Sequence, residues 1–484
     1  MTEKNLNSNE WGNNLSFILA MIGSAVGLGN IWRFPYVLYS CGGGAFYIPY
    51  FVAVLTLGIP FLILEYGMGY NFKASFPKGL RTINKKYEFM GWILPLSIFG
   101  VSIYYCVIIG WIVIYVVLSF YKGWGDNTDK FFDQTILQSS TTGTNWFIVW
   151  FVSHKQLEKG IGRFNKILVP SLFVIMFFIV IYSLTLDGAS IGLKILFKPD
   201  WSLLKSFSIW TSAYGQVLFS LSLGYSEAYT YAGYTGRDTD LVTSAIITTI
   251  ANCGFENFCA LGVFSVLGHM SKVKSTAITK LVSQGTGLVF IAYPAVLNIL
   301  GKLAYVIGPA FFLSVLFAGL TSMLSMIEPF SFSIQNKFTW SRKKTATIEI
   351  IFGAICSMLF ATGYGNELLG HVDNYINNVL VLFSIAIECY IFSWAFDIKR
   401  AMRTLNDRSK SIKLGWWWLA IIRVILPIII IVIWFGTLYE MFSNGSVAQT
   451  VIFGISTIVI FGVTAVFTFL KPTNKSYDEV ENRL

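Results

Sequence analysis

The sequence predicts an all-α polytopic membrane protein with about twelve transmembrane helices, and three observations predict it. Of its 484 residues 55% are hydrophobic and only 12% are charged, which excludes a soluble globular protein of ordinary composition. Apolar stretches of about twenty residues recur along nearly the whole chain, unlike the shorter alternating segments of an outer-membrane barrel. The basic residues behind the net charge of +10 lie in alternate connecting loops. That distribution marks the cytoplasmic side of a membrane protein and not a nucleic-acid partner.

The first basic loop carries Lys73, Lys78, Arg81, Lys85 and Lys86, and the second Lys155, Lys159, Arg163 and Lys166. Lys337, Arg342, Lys343 and Lys344 follow, then Lys399, Arg400, Arg403, Arg408, Lys410 and Lys413. With an even number of spans both termini are expected in the cytoplasm, the protein being multi-pass in the plasma membrane. The first apolar run is too long for a cleaved signal. Six cysteines lie singly, nearly all in apolar runs, so packing explains them better than a disulfide or metal framework.

Span one is placed at residues 15–39. Its centre, Gly23-Ser24-Ala25-Val26-Gly27-Leu28-Gly29-Asn30, is an unfavourable place for three glycines, each costing a helix about 1 kcal/mol relative to alanine. Small residues there could form a helix contact face, or the helix could break and turn its freed carbonyls on a cation. Gly42-Gly43-Gly44 is a tight outer turn. Span two (46–70) carries Glu65, a carboxylate whose depth calls for a partner. Span three (89–120) contains Tyr104 and Tyr105. Span four has an apolar core of only residues 146–152, so it must recruit residues 141–144, thin the bilayer or be shielded by neighbours. Span five starts near Arg163, and Gly160 with Pro170 makes its cytoplasmic end a place to unwind.

The second half repeats the anomaly. Span six (209–234) has Ser220-Leu221-Ser222-Leu223-Gly224-Tyr225-Ser226-Glu227 at its middle. Two interrupted helices, first in each set of five, point to an inverted-repeat transporter with its site at the breaks, which a contact face alone does not predict. The expected organisation is one transporter domain over 1–484, with a first repeat at 11–185, a second at 203–400 and spans eleven and twelve at 414–470. Span seven (241–267) brings Asn252 and Glu256 onto one face, and residues 269–307 form an extracellular lid. Span eight (308–332) holds Ala318, Thr321, Ser322 and Glu328, and span ten (371–396) holds Asp373 and Glu388. Spans nine (346–362), eleven (416–442) and twelve (448–470) complete the chain.

Trp11, then Gly23-Ser-Ala-Val-Gly-Leu-Gly-Asn-Ile-Trp-Arg-Phe-Pro-Tyr36 and Gly42-Gly-Gly-Ala-Phe46, closely resemble the neurotransmitter:sodium symporter family, and the likeness extends through spans six, seven, eight and ten. It implies two sodium ions. One would meet the Ala25 carbonyl, Asn30, Ser220, Asn252 and the substrate's carboxylate; the other the Gly23 and Val26 carbonyls, Ala318, Thr321 and Ser322. All are oxygen donors, as a hard cation prefers. Members of the family that carry amines have an aspartate where this chain has Gly27, so an amino acid bringing its own carboxylate is implied. Ser24, Gly27, Leu28, Gly29 and Tyr105 would hold its polar end, and Val101, Phe219, Ser222, Tyr225, Ser322 and Met326 its side chain, which favours a neutral, hydrophobic or aromatic substrate. Glu256 stands where chloride-dependent members have a small hydroxyl residue, implying chloride independence.

The resemblance also implies gates. Outside, Arg33 would pair with Asp373 near Gln216, with Tyr105 and Phe219 as the lid. Inside, Ser8 and Asn336 replace the family's charged pair, so Trp11, Tyr234 and neutral hydrogen bonds are expected to close the gate more weakly. Glu227 departs from the family's small residue. It could admit a cationic substrate, titrate with transport or line the cytoplasmic vestibule, the last being preferred. The function expected is sodium-coupled amino-acid symport by alternating access, by a monomer or weak dimer in the lipid bilayer. A proton-coupled permease leaves the hydroxyl-rich ion sites unexplained. A sensor lacks an output domain. For an enzyme the scattered His154, His269 and His371 offer no metal spacing or nucleophile arrangement.

Overall fold

The computed structural model describes residues 10–137, 142–155, 157–281 and 285–477. Among them nine helices are long and apolar enough to cross a membrane, and Asn14–Ala25 with Leu28–Ser40 forms a further span bent by 53°. Two crossings fall short of that measure. Span four is the 12-residue helix Thr142–Ser153, and span six is divided into Phe207–Ser220 and Glu227–Gly233.

The short fourth span rises about 18 Å against about 30 Å of hydrocarbon. Neighbours make up the difference. Its Trp146 Nε1 donates to Ser357 Oγ at 3.1 Å and Trp150 Nε1 to Thr347 Oγ1 at 3.0 Å, both on span nine. Thr142 onward is recruited into the helix, whereas Thr141 lies outside the described residues.

Prolines set the local irregularities. Wide π turns at Val54–Gly58, Leu288–Ala292 and Ile421–Ile425 each end two residues before a proline, Pro60, Pro294 and Pro427. A proline cannot donate to the preceding turn and its ring crowds the carbonyl four residues back, so one widened turn relieves the clash without breaking the span. Span five has a wide turn without a proline at that spacing. Instead of unwinding, its cytoplasmic end is a wide turn at Glu158–Gly162 that runs directly into Arg163–Leu184 with Pro170 inside the helix. Glu158 also ties it to span one, accepting from Gly12 N at 3.0 Å and Ser16 Oγ at 3.2 Å.

Spans seven and eight are longer than expected, Leu241–Lys274 and Ala304–Phe338, and the lid between them contains the helix Tyr293–Ile299. Span eight packs along span three. At their cytoplasmic ends Glu88 is fully buried, bonded to Lys337 Nζ at 2.7 Å, to Arg81 and to Tyr477 of the tail at 3.2 Å. The second half of span six lies on span two through a close backbone approach. A Cβ on Gly69 would strike the Tyr229 carbonyl, so only glycine fits.

Removing one member of a buried charge cluster leaves the others desolvated, at a cost of about 3–5 kcal/mol. Glu88→Ala is therefore expected to lower the apparent melting temperature of the detergent-solubilised protein clearly, and Glu88→Gln less. Melting of the alanine variant at the parent temperature contradicts this assignment.

Candidate functional site

The two breaks meet at the centre of the bundle. Span one stops at Ala25, because Val26 turns extended with ψ of 90° and Gly27 is likewise extended. Span six is interrupted by Ser222, Gly224 and Ser226, all at positive φ of 51°, 73° and 60°. Two serines in the left-handed region are a local cost that only a specific surrounding sustains. Part of it comes from span two: Glu65, fully buried, lies beside the Gly224 and Ser226 amides, short of hydrogen-bond geometry.

Around the first break the residues expected at one ion site converge. Asn252 Oδ1 lies 2.8 Å from Asn30 Nδ2, and 3.3 Å from Ala25 O and 3.1 Å from Ser220 O. Those last two are oxygen-to-oxygen approaches with no hydrogen between them. A half-turn of the carboxamide brings its NH2 onto both carbonyls, and the carbonyl, carboxamide and hydroxyl oxygens gathered here suit a hard cation such as sodium. The Asn252 carboxamide also bonds the Ser220 hydroxyl, at 3.1 Å. Asn30 is shared, since its Oδ1 accepts from Gly27 N at 2.9 Å and so also holds the break.

The second expected set gathers where span one crosses span eight. Ser322 Oγ donates towards Gly23 O at 3.4 Å and Ser24 O at 3.3 Å. Thr321 Oγ1 bonds back to Phe317 O and Ala318 O, both at 3.0 Å. Gly23 faces Thr321 closely enough that an added Cβ would lie 3.3 Å from the Thr321 Cβ. Val26 ends the first half of span one, its N–H bonded to Ile22 O at 2.7 Å.

Beside these sets the first break presents a helix N-terminus. Leu28 and Gly29 open the second half of span one, where amides lack partners within the helix and favour an anion. The Tyr105 hydroxyl lies beside Leu28 N and Ser322, and a Cβ on Gly27 would lie 2.8 Å from Ser322 Oγ. Gly29 gives room to the Phe219 ring. Val101 is buried on span three and Met326 is half-buried on span eight. Ser222 Oγ donates to Ser24 O at 3.3 Å. Tyr225 points elsewhere, donating to Asn377 in the outer network.

Glu256 is the hub behind the first ion set. Fully buried, it accepts from Tyr50, from Gln216 Nε2 at 3.0 Å and from Asn30 Nδ2 at 3.4 Å. Gln216 therefore belongs to this hub and not to the outer gate. Glu227 is not in a vestibule either. It is 1% exposed, and its Oε2 accepts from Ser24 Oγ, clasping the two breaks together.

The outer gate is also drawn differently. Among the described residues no ion pair joins Arg33 to Asp373. Arg33 stacks over Phe219 at 4.7 Å, while Asp373 accepts from Tyr104 at 2.7 Å and from Asn377 at 2.8 Å. Asn377 lies one helical turn after Asp373, the spacing that could have revealed it. Outside this line a cavity of about 420 Å³ reaches Arg33, Phe219, Asn377, Glu440 and Gln449.

The inner side is sealed. Trp11 N donates to Tyr234 O at 2.9 Å and Trp11 Nε1 to Tyr231 O at 2.8 Å. Tyr234 donates to Glu328 at 2.8 Å, and Arg342 grips the same carboxylate through two bonds of 2.8 and 2.6 Å. The expected closure by neutral bonds alone is thus corrected: a buried ion pair between spans eight and nine underlies it. Asn336 is not at this contact; it accepts from Ser75 N at 3.1 Å and its carbonyl from Asn474 at 2.7 Å. Ser8 lies outside the described residues.

The chain matches the model of the sodium:neurotransmitter symporter family over residues 8–145 and 136–471. It is 36% identical over 467 residues to an uncharacterized sodium-dependent transporter of Methanocaldococcus jannaschii, covering 93% of this chain and 94% of that one. To the sodium-dependent serotonin transporter of Drosophila melanogaster it is 27% identical over 470 residues, covering 87% of this chain and 75% of the other. Among solved structures it is similar to MhsT in complex with L-phenylalanine, with a TM-score of 0.78 and 29% identity over 89% of this chain and 99% of that one.

If the Glu328–Arg342 pair holds the inner side shut, Arg342→Ala strands the carboxylate under Tyr234 and loosens the seal. A cysteine introduced at Ser325, in a background free of native cysteines, should then react several-fold faster with an impermeant thiol reagent applied from the cytoplasmic face. Equal labelling with and without Arg342 contradicts the gate.

Proposed function

This chain belongs to the sodium:neurotransmitter symporter family, and we propose that its two helix breaks form a composite site where two sodium ions and one neutral amino acid with a hydrophobic or aromatic side chain bind together. The protein is a sodium-coupled amino-acid symporter and not an enzyme. The observation that carries the finer reading is the gathering of the Ala25 carbonyl, the Asn30 and Asn252 carboxamides and the Ser220 hydroxyl around the first break. Such an oxygen-rich set suits a hard cation, and the substrate's carboxylate completes it from the side of Gly27. The second ion takes the Gly23 and Val26 carbonyls with Ala318, Thr321 and Ser322.

The amino acid lies with its carboxylate at the Leu28 and Gly29 amides and the Tyr105 hydroxyl, and its ammonium at the carbonyls of span six. A phenylalanine-bound relative supports an aromatic side chain of that size. Glu256 provides a fixed negative charge beside the first ion, which lowers the cost of holding it in a medium of low dielectric. Chloride is not required for that purpose.

Transport follows from the asymmetry of the two ends. The outer side opens to a cavity while Trp11, Tyr234, Glu328 and Arg342 close the inner side. Binding draws Arg33, Phe219 and Asp373 over the substrate, and release needs the inner contacts to part. Residues 11–185 and 203–400 act as the inverted repeats and 414–470 as the flanking pair, with both termini cytoplasmic and the unit a monomer or weak dimer.

Uptake into vesicles is expected to require sodium and to proceed equally in chloride and in gluconate. Glu256→Ser should abolish uptake in gluconate and recover part of it in chloride, since the missing charge can then be supplied by the anion. Chloride-dependent uptake by the parent protein, or a serine variant indifferent to chloride, contradicts this role. Asn252→Ala and Thr321→Ala should each raise the sodium concentration needed for half-maximal binding, by about 10-fold for a loss of about 1.4 kcal/mol.

A further inference from the structure

Glu227 is a buried carboxylate that this mechanism does not use. It is the first residue of the second half of span six, following Ser226 at a φ of 60°, and is 1% exposed. One carboxylate oxygen accepts from Ser24 Oγ. The other, Oε1, is buried without a hydrogen-bond partner. Holding the breaks together needs only the first oxygen, and a glutamine or serine could provide that without placing a carboxylate in the membrane interior.

The surroundings offer no counter-charge. Among the described residues no basic side chain pairs with Glu227. The titratable groups that face it are Glu65 from span two, Tyr105 from span three, and Tyr225 and Tyr231 from span six. Ser325 of span eight lies beside the carboxylate but donates its hydroxyl to Ser322 O at 2.7 Å. Position supplies the remaining clue. The Ser24 that Glu227 grips carries on its carbonyl the hydroxyls of Ser222 and Ser322, each at 3.3 Å. Glu227 is therefore linked, through Ser24, to residues proposed to surround the substrate's side chain.

We propose that Glu227 is a specificity-determining residue whose free oxygen accepts a hydrogen bond from the tip of the substrate's side chain, so that the transporter selects amino acids ending in a donor. Indole N–H and phenol O–H share that chemistry. The inference rests on reading the chamber as an amino-acid site. A site built to pair a buried acceptor rejects analogues without the donor more strongly than an apolar pocket rejects a change in size.

The test is sodium-dependent binding by the purified full chain, with tryptophan and tyrosine each compared against phenylalanine. The parent protein should favour the donor-bearing member of at least one pair by about 10-fold or more, and the pair shows which donor it takes. In Glu227→Gln the amide oxygen stays with Ser24 and the NH2 meets the ligand's donor, so that ratio should collapse. Glu227→Asp, which keeps the charge but shortens its reach, should reduce the ratio to an intermediate value and serves where the glutamine variant does not fold. Ratios near one in the parent protein, or ratios unchanged by both variants, overturn the proposal. So does a glutamine variant in which only the pH profile of uptake changes, because Glu227 would then carry a proton. Binding of no amino acid at all, at any sodium concentration, would instead overturn the amino-acid reading on which the proposal rests.

Discussion

Inside a bilayer every backbone N–H and C=O must find a partner within the protein, and the whole site follows from how this chain meets that demand where it breaks two helices. At the first break Asn30 takes the Gly27 amide, and Ser322 approaches the Gly23 and Ser24 carbonyls. At the second, Ser222 reaches across to Ser24. The groups left over are mainly carbonyl oxygens and helix-end amides, one set suited to cations and the other to a carboxylate. Binding chemistry is thus what remains once the protein has satisfied what it can.

The same demand explains the carboxylates. Glu256, Glu227 and Glu65 are all buried near the breaks, yet each is placed differently. Glu256 is held by three donors, Glu227 by one, and Glu65 stands beside two amides of the span-six break. A carboxylate with a full set of donors can remain charged beside an ion, whereas one with a free oxygen has capacity left for a ligand. At the inner end Glu328 illustrates a further use. Gripped by Arg342 and Tyr234, it joins the seal to spans eight and nine, so opening must either move that pair as a unit or break it.

Much of this was legible in the sequence, because breaks announce themselves. Gly23, Gly27 and Gly29 with Asn30, and Ser222, Gly224 and Ser226, are residue types that a regular span avoids, and they sit where the helices part. Contacts between distant elements were less visible. Nothing in spacing pairs Glu328 with Arg342, since they lie on different helices on either side of a turn, and Gln216 belongs with Glu256 only once spans six and seven are packed. Glu227 was misplaced for a related reason: its position in the chain gave the depth but not the neighbour, and Ser24 is the neighbour that matters. Pro170 suggested an unwinding of span five that this conformation does not have, and the wide turns before Pro60, Pro294 and Pro427 were not foreseen.

The central claim is the proposal that the ion site and the substrate site share atoms, with the substrate's carboxylate completing the first ion's ligands beside Gly27. Equilibrium binding measured against sodium concentration, for an amino acid and for the amine made by removing its carboxylate, tests this most directly. The account predicts that sodium tightens binding of the amino acid and that the amino acid tightens sodium by the same factor, as linkage requires, while the amine shows neither effect. Amino-acid binding that ignores sodium, or an amine coupled to sodium as strongly as its parent, would contradict it.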